Sequence, residues 1–191
     1  MDTKNEKLAS VRPENEALEE IAFSEQLINY EIIMGIVSKR EYSSKVLRIA
    51  KTCARQFRRT CYVSTNRSAR ALLDMWEKHG LEINKFVIVD CVGEEKEKKV
   101  AVKCVSSPAD LRGISLAVED VVREEVQCLV FDSISTLMLY QKPLEVLRFA
   151  HIMVTRLRKH GVKGVLLTLK GDLNRQHLEE ISMFVDAVVD L

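Results

Sequence analysis

The chain has 191 residues, 47% hydrophobic and 30% charged, which is enough for one domain with a large core and too little for two. Lys and Arg total 29 against 28 Asp and Glu, a net charge of +1, so there is no bulk electrostatic drive toward nucleic acid or an acidic membrane, and any such contact needs a local patch. The N-terminus has no signal-peptide core and no apolar run is long enough to cross a bilayer, so a cytoplasmic protein without a membrane partner is expected.

Residues 1–12 are polar and without period, the composition of a flexible tail. Pro13 can open a helix over 13–28, with Leu18, Ile21, Ala22, Glu25 and Leu27 as an incomplete inner face expected to lie along a sheet edge. The main domain is then 29–191. Its first stretch, YEIIMGIV at 30–37, is too short and too uniformly apolar for a solvent-facing helix, and its β-branched content predicts a buried strand.

The turn that follows is informative for what it lacks. Residues 38–44, SKREYSS, lead into a helix carrying Val46, Leu47, Ile49, Ala50, Cys53 and Phe57, the strand-turn-helix order of phosphate-binding loops. A phosphate cradle needs backbone N–H groups turned to one point, which demands glycine at positive φ, and a lysine at the helix start. The turn has no glycine, and Tyr42 stands about where the lysine belongs. Lys39 and Lys45 are the nearest cations, either as phosphate ligands or as ordinary solvated lysines.

Further strands are predicted at 60–65 (TCYVST) and 85–91 (KFVIVDC), with a helix between them capped by Ser68 and ended by Gly80. GEEKEKK at 93–99 alternates both signs of charge and reads as a solvated loop. Residues 100–105 suit an edge strand, and Ser107-Pro108 is expected to open a helix through Val122. After a predicted loop at 135–141, Pro143 starts a helix that closes on Arg156, Arg158, Lys159 and His160, cations suited to its C-terminal dipole. Strand 164–169, a polar loop, a short helix and strand 187–191 complete the chain. The five cysteines have no close pair at metal-ligand spacing and read as reduced core residues, and the four histidines have no evident metal partners.

QCLVFDSISTL, 127–137, is the expected centre: an apolar run delivering Asp132 and Ser133 to the carboxyl edge of a buried strand. A strand-end carboxylate there can hold the water shell of a Mg²⁺-nucleotide, or it can simply cap the next turn. Strands alternating with helices predict an α/β fold, a mostly parallel sheet with helices on both faces.

The stretches CYVSTNRSARALLDMWEKHGL, CLVFDSISTL and GVKGVLLTLKGDLNRQHLEEISMFVDAVVDL, in this order, resemble the RecA-like ATPases over about residues 30–191, especially their KaiC-like and RadA-related archaeal branch. The second stretch is similar to that branch's Walker B strand. The resemblance implies a three-layer RecA-like (P-loop NTPase-type) fold. Active members carry a glycine-rich Walker A loop where this chain has VSKREYSS, and a catalytic glutamate after the second strand, where it has Asn66 and Arg67. Only Asp132 and Ser133 carry over by match, with Lys39, Lys45 and Arg67 as the remaining members of a degenerate nucleotide site. The expectation is a pseudo-ATPase with no catalytic residue, metal or cofactor of its own, acting as a protein-interaction or signalling and regulatory module through a protein partner or its own copies. The alternatives are a divergent ATP-binding protein or weak Mg-ATPase, and an accessory factor in DNA recombination or repair.

Overall fold

The computed structural model describes residues 18–93 and 99–191. The expected tail at 1–12, the start of the N-terminal helix and most of the charged loop at 93–99 lie outside them. Seven strands form one sheet: β1 (Ile32–Val37), β2 (Thr60–Ser64), β3 (Phe86–Asp90), β4 (Ala101–Cys104), β5 (Cys128–Asp132), β6 (Lys163–Leu169) and β7 (Ala187–Asp190). Their spatial order is β4-β3-β2-β5-β6-β1-β7, and every pairing is parallel. β5 is therefore the central strand, with β2 on one side and β6 on the other.

Side chains alternate across each strand and so feed two cores. Ile33, Tyr62, Ile88, Val130 and Val165 face one layer of helices: α1 (18–29), α2 (Tyr42–Gln56) and α3 (Ala69–Lys78). Met34, Val63, Val89, Phe131 and Leu166 face the other: α4 (Leu111–Val122), α5 (Ile134–Leu137), α6 (Pro143–Lys159) and α7 (Arg175–Ser182). This is the three-layer RecA-like α/β architecture. Because strands covered on both faces must be apolar throughout, β2, β3 and β5 are buried at every position.

Several local expectations are corrected. Residues 134–137 form the short helix α5 rather than loop, because the Ser133 hydroxyl accepts from the Thr136 N–H and caps it. α4 begins at Leu111, not at Pro108, since the Asp110 carboxylate takes the Gly113 N–H at 2.8 Å and fixes the start there. α1 is also rotated from its expected orientation. Phe23 and Leu27 are buried in the first core while Leu18, Ile21, Ala22 and Glu25 are exposed. Leu27 is thus inward as expected, and the rest of the expected face is not: the Phe23 ring one turn away is the second anchor and decides which side turns inward. Cys104, on the edge strand β4, is exposed, unlike the other four cysteines.

Candidate functional site

β2 leads into α3 on one face of the sheet, and its neighbour β5 leads into α5 and α6 on the other. Adjacent parallel strands that part in this way open a crevice at their carboxyl ends, where α/β folds hold ligands. Asp132 ends β5 in this crevice and is wholly buried, as is Ser133, which follows it across a cis peptide.

The crevice is filled from within. The Tyr42 hydroxyl lies 2.7 Å from both carboxylate oxygens of Asp132. The Tyr62 hydroxyl donates to Oδ2 at 2.6 Å, and the Asn66 amide reaches Oδ1 at 3.3 Å. Tyr62 is held by the sheet: it occupies β2 opposite Val130, with Trp76 packed edge-on at 5.1 Å between ring centroids. Tyr42 arrives from the first turn of α2. Asn66 also bonds the Tyr42 hydroxyl at 3.1 Å and accepts from Thr136, whose hydroxyl lies 2.8 Å from that of Ser133. The result is a closed polar network of phenols, hydroxyls and one amide around one carboxylate.

Its electrostatics follow from burial. Desolvation raises the Asp132 pKa above its ordinary value, and the hydrogen bonds from Tyr62, Tyr42 and Asn66 offset this only in part. Burial together with the neighbouring carboxylate holds both phenols far above their ordinary range, so they stay protonated as donors. Three protein donors, two phenols and one amide, thus share the two oxygens of this carboxylate.

The turn from β1 to α2 gives no cradle either. Residues 38–41 make a plain turn, with the Glu41 N–H on the Ser38 carbonyl at 3.1 Å. Among the described residues the one non-glycine with positive φ is Glu125, far along the chain, so no backbone nest forms between 38 and 44.

The five candidate residues are divided by the structure. Asp132 and Ser133 sit together, and Arg67 joins them at second hand. Its guanidinium lies over the Tyr42 ring at 5.3 Å and donates to the Ser43 hydroxyl at 2.6 Å. Lys39 turns away to Asp172 in the loop after β6. Lys45, 7% exposed, pairs with Glu19 of α1, which also takes Arg48. Neither lysine reaches the carboxylate. Sequence reasoning overlooked Tyr62 and Asp90. The signal for Tyr62 was a polar-tipped aromatic two residues from the end of a strand bordering an acid-ending one. Asp90 ends β3, is buried, and accepts the Ala69 N–H at 2.6 Å and those of Val92 and Gly93 at 2.9 and 2.8 Å. It thus fastens α3 and the next loop to the sheet. Among the described residues no group of three or more His, Cys, Asp or Glu is arranged to hold a metal, and no helix is long and apolar enough to cross a membrane.

Among solved structures the fold is similar to that of a KaiC-like protein from the hyperthermophilic archaeon Pyrococcus horikoshii OT3, with a TM-score of 0.60 and 20% sequence identity. The match covers 84% of this chain and 71% of that one, and at such identity it speaks to the fold alone. No curated protein sequence matches the chain. Residues 41–191 match a family of unknown function, DUF7504, from the head of α2 to the end of β7. The chain belongs to that family.

Proposed function

We propose that this domain is a non-catalytic RecA/KaiC-like module that works through contact with other protein surfaces and neither hydrolyses nor depends on ATP. The observation that carries this reading is the Asp132 carboxylate occupied by Tyr42 and Tyr62 where a metal-bound nucleotide would need it. Phosphoryl transfer relies on positioned charge, and the loss of one stabilising donor commonly costs about 2–4 kcal/mol of barrier. A chain without the glycine cradle and its lysine lacks several such donors at once, and without an acid after the second strand it lacks the base as well. In this reading the degenerate Walker A turn is a closure, and the Walker B aspartate serves the fold. The intracellular setting proposed is the cytoplasm.

The test is a thermal melt with and without Mg-ATP, paired with a phosphate-release assay. A ligand at one hundred times its Kd stabilises by about 2.7 kcal/mol, enough to raise the Tm of a domain this size by roughly 5–10 °C. The melting point is expected to be the same with millimolar Mg-ATP as without it, and phosphate release to equal the buffer control. A clear upward shift, or turnover that disappears in Asp132→Ala, would refute the proposal.

A further inference from the structure

α1 and α2 lie side by side on one outer layer and carry opposite charge. Between residues 18 and 29, α1 holds Glu19, Glu20 and Glu25 and no lysine or arginine, whereas α2 holds Lys45, Arg48, Lys51 and Arg55 and no acid. Some of this charge is paired inside the chain, Glu19 with Lys45 and Arg48, and Glu20 with Arg55. Among the described residues, Glu25 and Lys51 have no partner, and the Arg55 side chain is still 68% exposed.

The apolar surface of α1 is also only half covered. Phe23 and Leu27 are buried, yet on the opposite side of the helix Leu18, Ile21 and Ile28 are 64%, 57% and 67% exposed. With Glu25 they follow the three-four spacing of a single stripe, the pattern of a helix that meets a second helix. A helix apolar on two opposite sides is built to lie between two surfaces, and the described chain supplies one. Beside the stripe runs a groove of about 290 Å³, lined by Ile21, Glu25, Arg55 and Gln56 among others.

We infer that this face is a two-fold interface between two copies of the chain, with α1 of each laid over α2 of the other. A two-fold axis brings the same patch together with itself, so the patch must be self-complementary. An acidic helix beside a basic one meets that condition, because the rotation sets acid over base twice. A partner helix of one charge sign would gain against one of the two and lose against the other. In the dimer Glu25 faces Arg55 and Lys51 of the second copy, and Ile21 and Ile28 leave water. The two helices are about 18 and 22 Å long and about 10 Å apart, a footprint of roughly 400 Å² per copy. That is at the low end for specific interfaces, so the dimer forms and parts with concentration. The inference names the partner surface of the contact role proposed above and rests on that reading only for its purpose.

Sedimentation equilibrium of the full chain from about 1 to 300 µM tests it, a range that brackets low-end interfaces. The expected result is a mass rising from 21.8 kDa toward twice that value. Ile21→Glu and Glu25→Lys should each weaken association about tenfold or more, the size of one interface contact, with unchanged melting points because both side chains are exposed. Glu25→Lys combined with Lys51→Glu, a position with no ion pair inside the described chain, should recover association. A mass that stays monomeric throughout, or a dimer indifferent to both single changes, overturns the inference. A dimer that also melts higher in Mg-ATP would instead sink the non-catalytic reading and leave this one standing.

Discussion

Asp132 is costly to bury as a charge, and its surroundings set the sign of its pH dependence. Its folded pKa is raised by burial, so between the ordinary carboxylate value and the raised one the native state binds the proton more tightly than the unfolded chain does. Stability from this group is fully present below the ordinary value and is lost as pH rises through the raised one. Asp132→Asn removes that loss while keeping an acceptor for Tyr62, so the variant is expected to gain on the wild type as pH rises through the window, measured by denaturant melts at several pH values. Tyr42→Phe leaves the carboxylate short of one buried donor and should cost about 1–3 kcal/mol in the same melts. Equal stability in Tyr42→Phe would mean the phenol is not engaged. Although its role there was left open between ligand site and turn cap, the place of Asp132 at the end of a buried strand was legible in the sequence, because an apolar run closing on an acid marks the carboxyl edge of a parallel sheet. Its phenolic partners were not: Tyr42 and Tyr62 are distant in sequence from it, and only the β2–β5 register and the start of α2 bring their hydroxyls to one point.

At the scale of elements, most strands were legible because burial on both faces forces continuous apolar runs, which is why 127–132 and 30–37 stood out. α1 was legible as a helix and misread in its facing. It carries apolar residues on two opposite sides, so periodicity alone could not choose between them, and the contest was settled by Phe23. Beside the burial of Phe23 and Leu27, polar contacts fasten α1: Glu19 to Lys45 and Arg48, Glu20 to Arg55, and the Gln56 amide on the Ser24 carbonyl at 2.9 Å. Hydrogen bonding from Lys45, then from Arg48, lowers the Glu19 pKa. A lowered folded value means that this contribution is present above the ordinary carboxylate range near 4.5 and fades as pH falls through the folded value. Glu19→Gln should therefore lower the exchange protection factors of α1 at neutral pH, and in the wild type the same loss of protection should appear only below the ordinary carboxylate value, once the slower intrinsic exchange in acid is divided out. Protection unchanged by either treatment would show that Phe23 and Leu27 hold the helix alone.

The whole molecule joins its layers at the carboxyl edge. Thr65 bonds the Asp132 carbonyl through its N–H at 2.7 Å and its hydroxyl at 3.0 Å, the Ser135 hydroxyl takes the Leu169 N–H at 3.1 Å, and Asp90 ties β3 to α3. Hydrogen bonds thus tie the carboxyl ends of β3, β2, β5 and β6 to one another and to the helices that follow them. Native-state hydrogen exchange should accordingly rank these inner strands as most protected, with β4 and β7, each paired on one side only, exchanging first. Early exchange in β5 would contradict this account of the edge. The overall topology was foreseeable because right-handed crossovers between parallel strands leave few arrangements. The closure was not, since it depends on side chains from four separate turns meeting in space.

The plain turn at 38–41 also bears on reversibility. A lysine substituted at Tyr42 would bring a cation to Asp132 but would find no backbone nest to share a phosphate with, and glycines introduced into the turn would loosen the head of α2 while the Asp132 carboxylate remained occupied. Under the proposed reading each such change removes something the present fold uses before it supplies any part of a phosphate site. On the non-catalytic reading proposed above, substitutions on the outer faces act singly, whereas those at the carboxyl edge of β5 must change together because Tyr42, Tyr62 and Asn66 share one carboxylate.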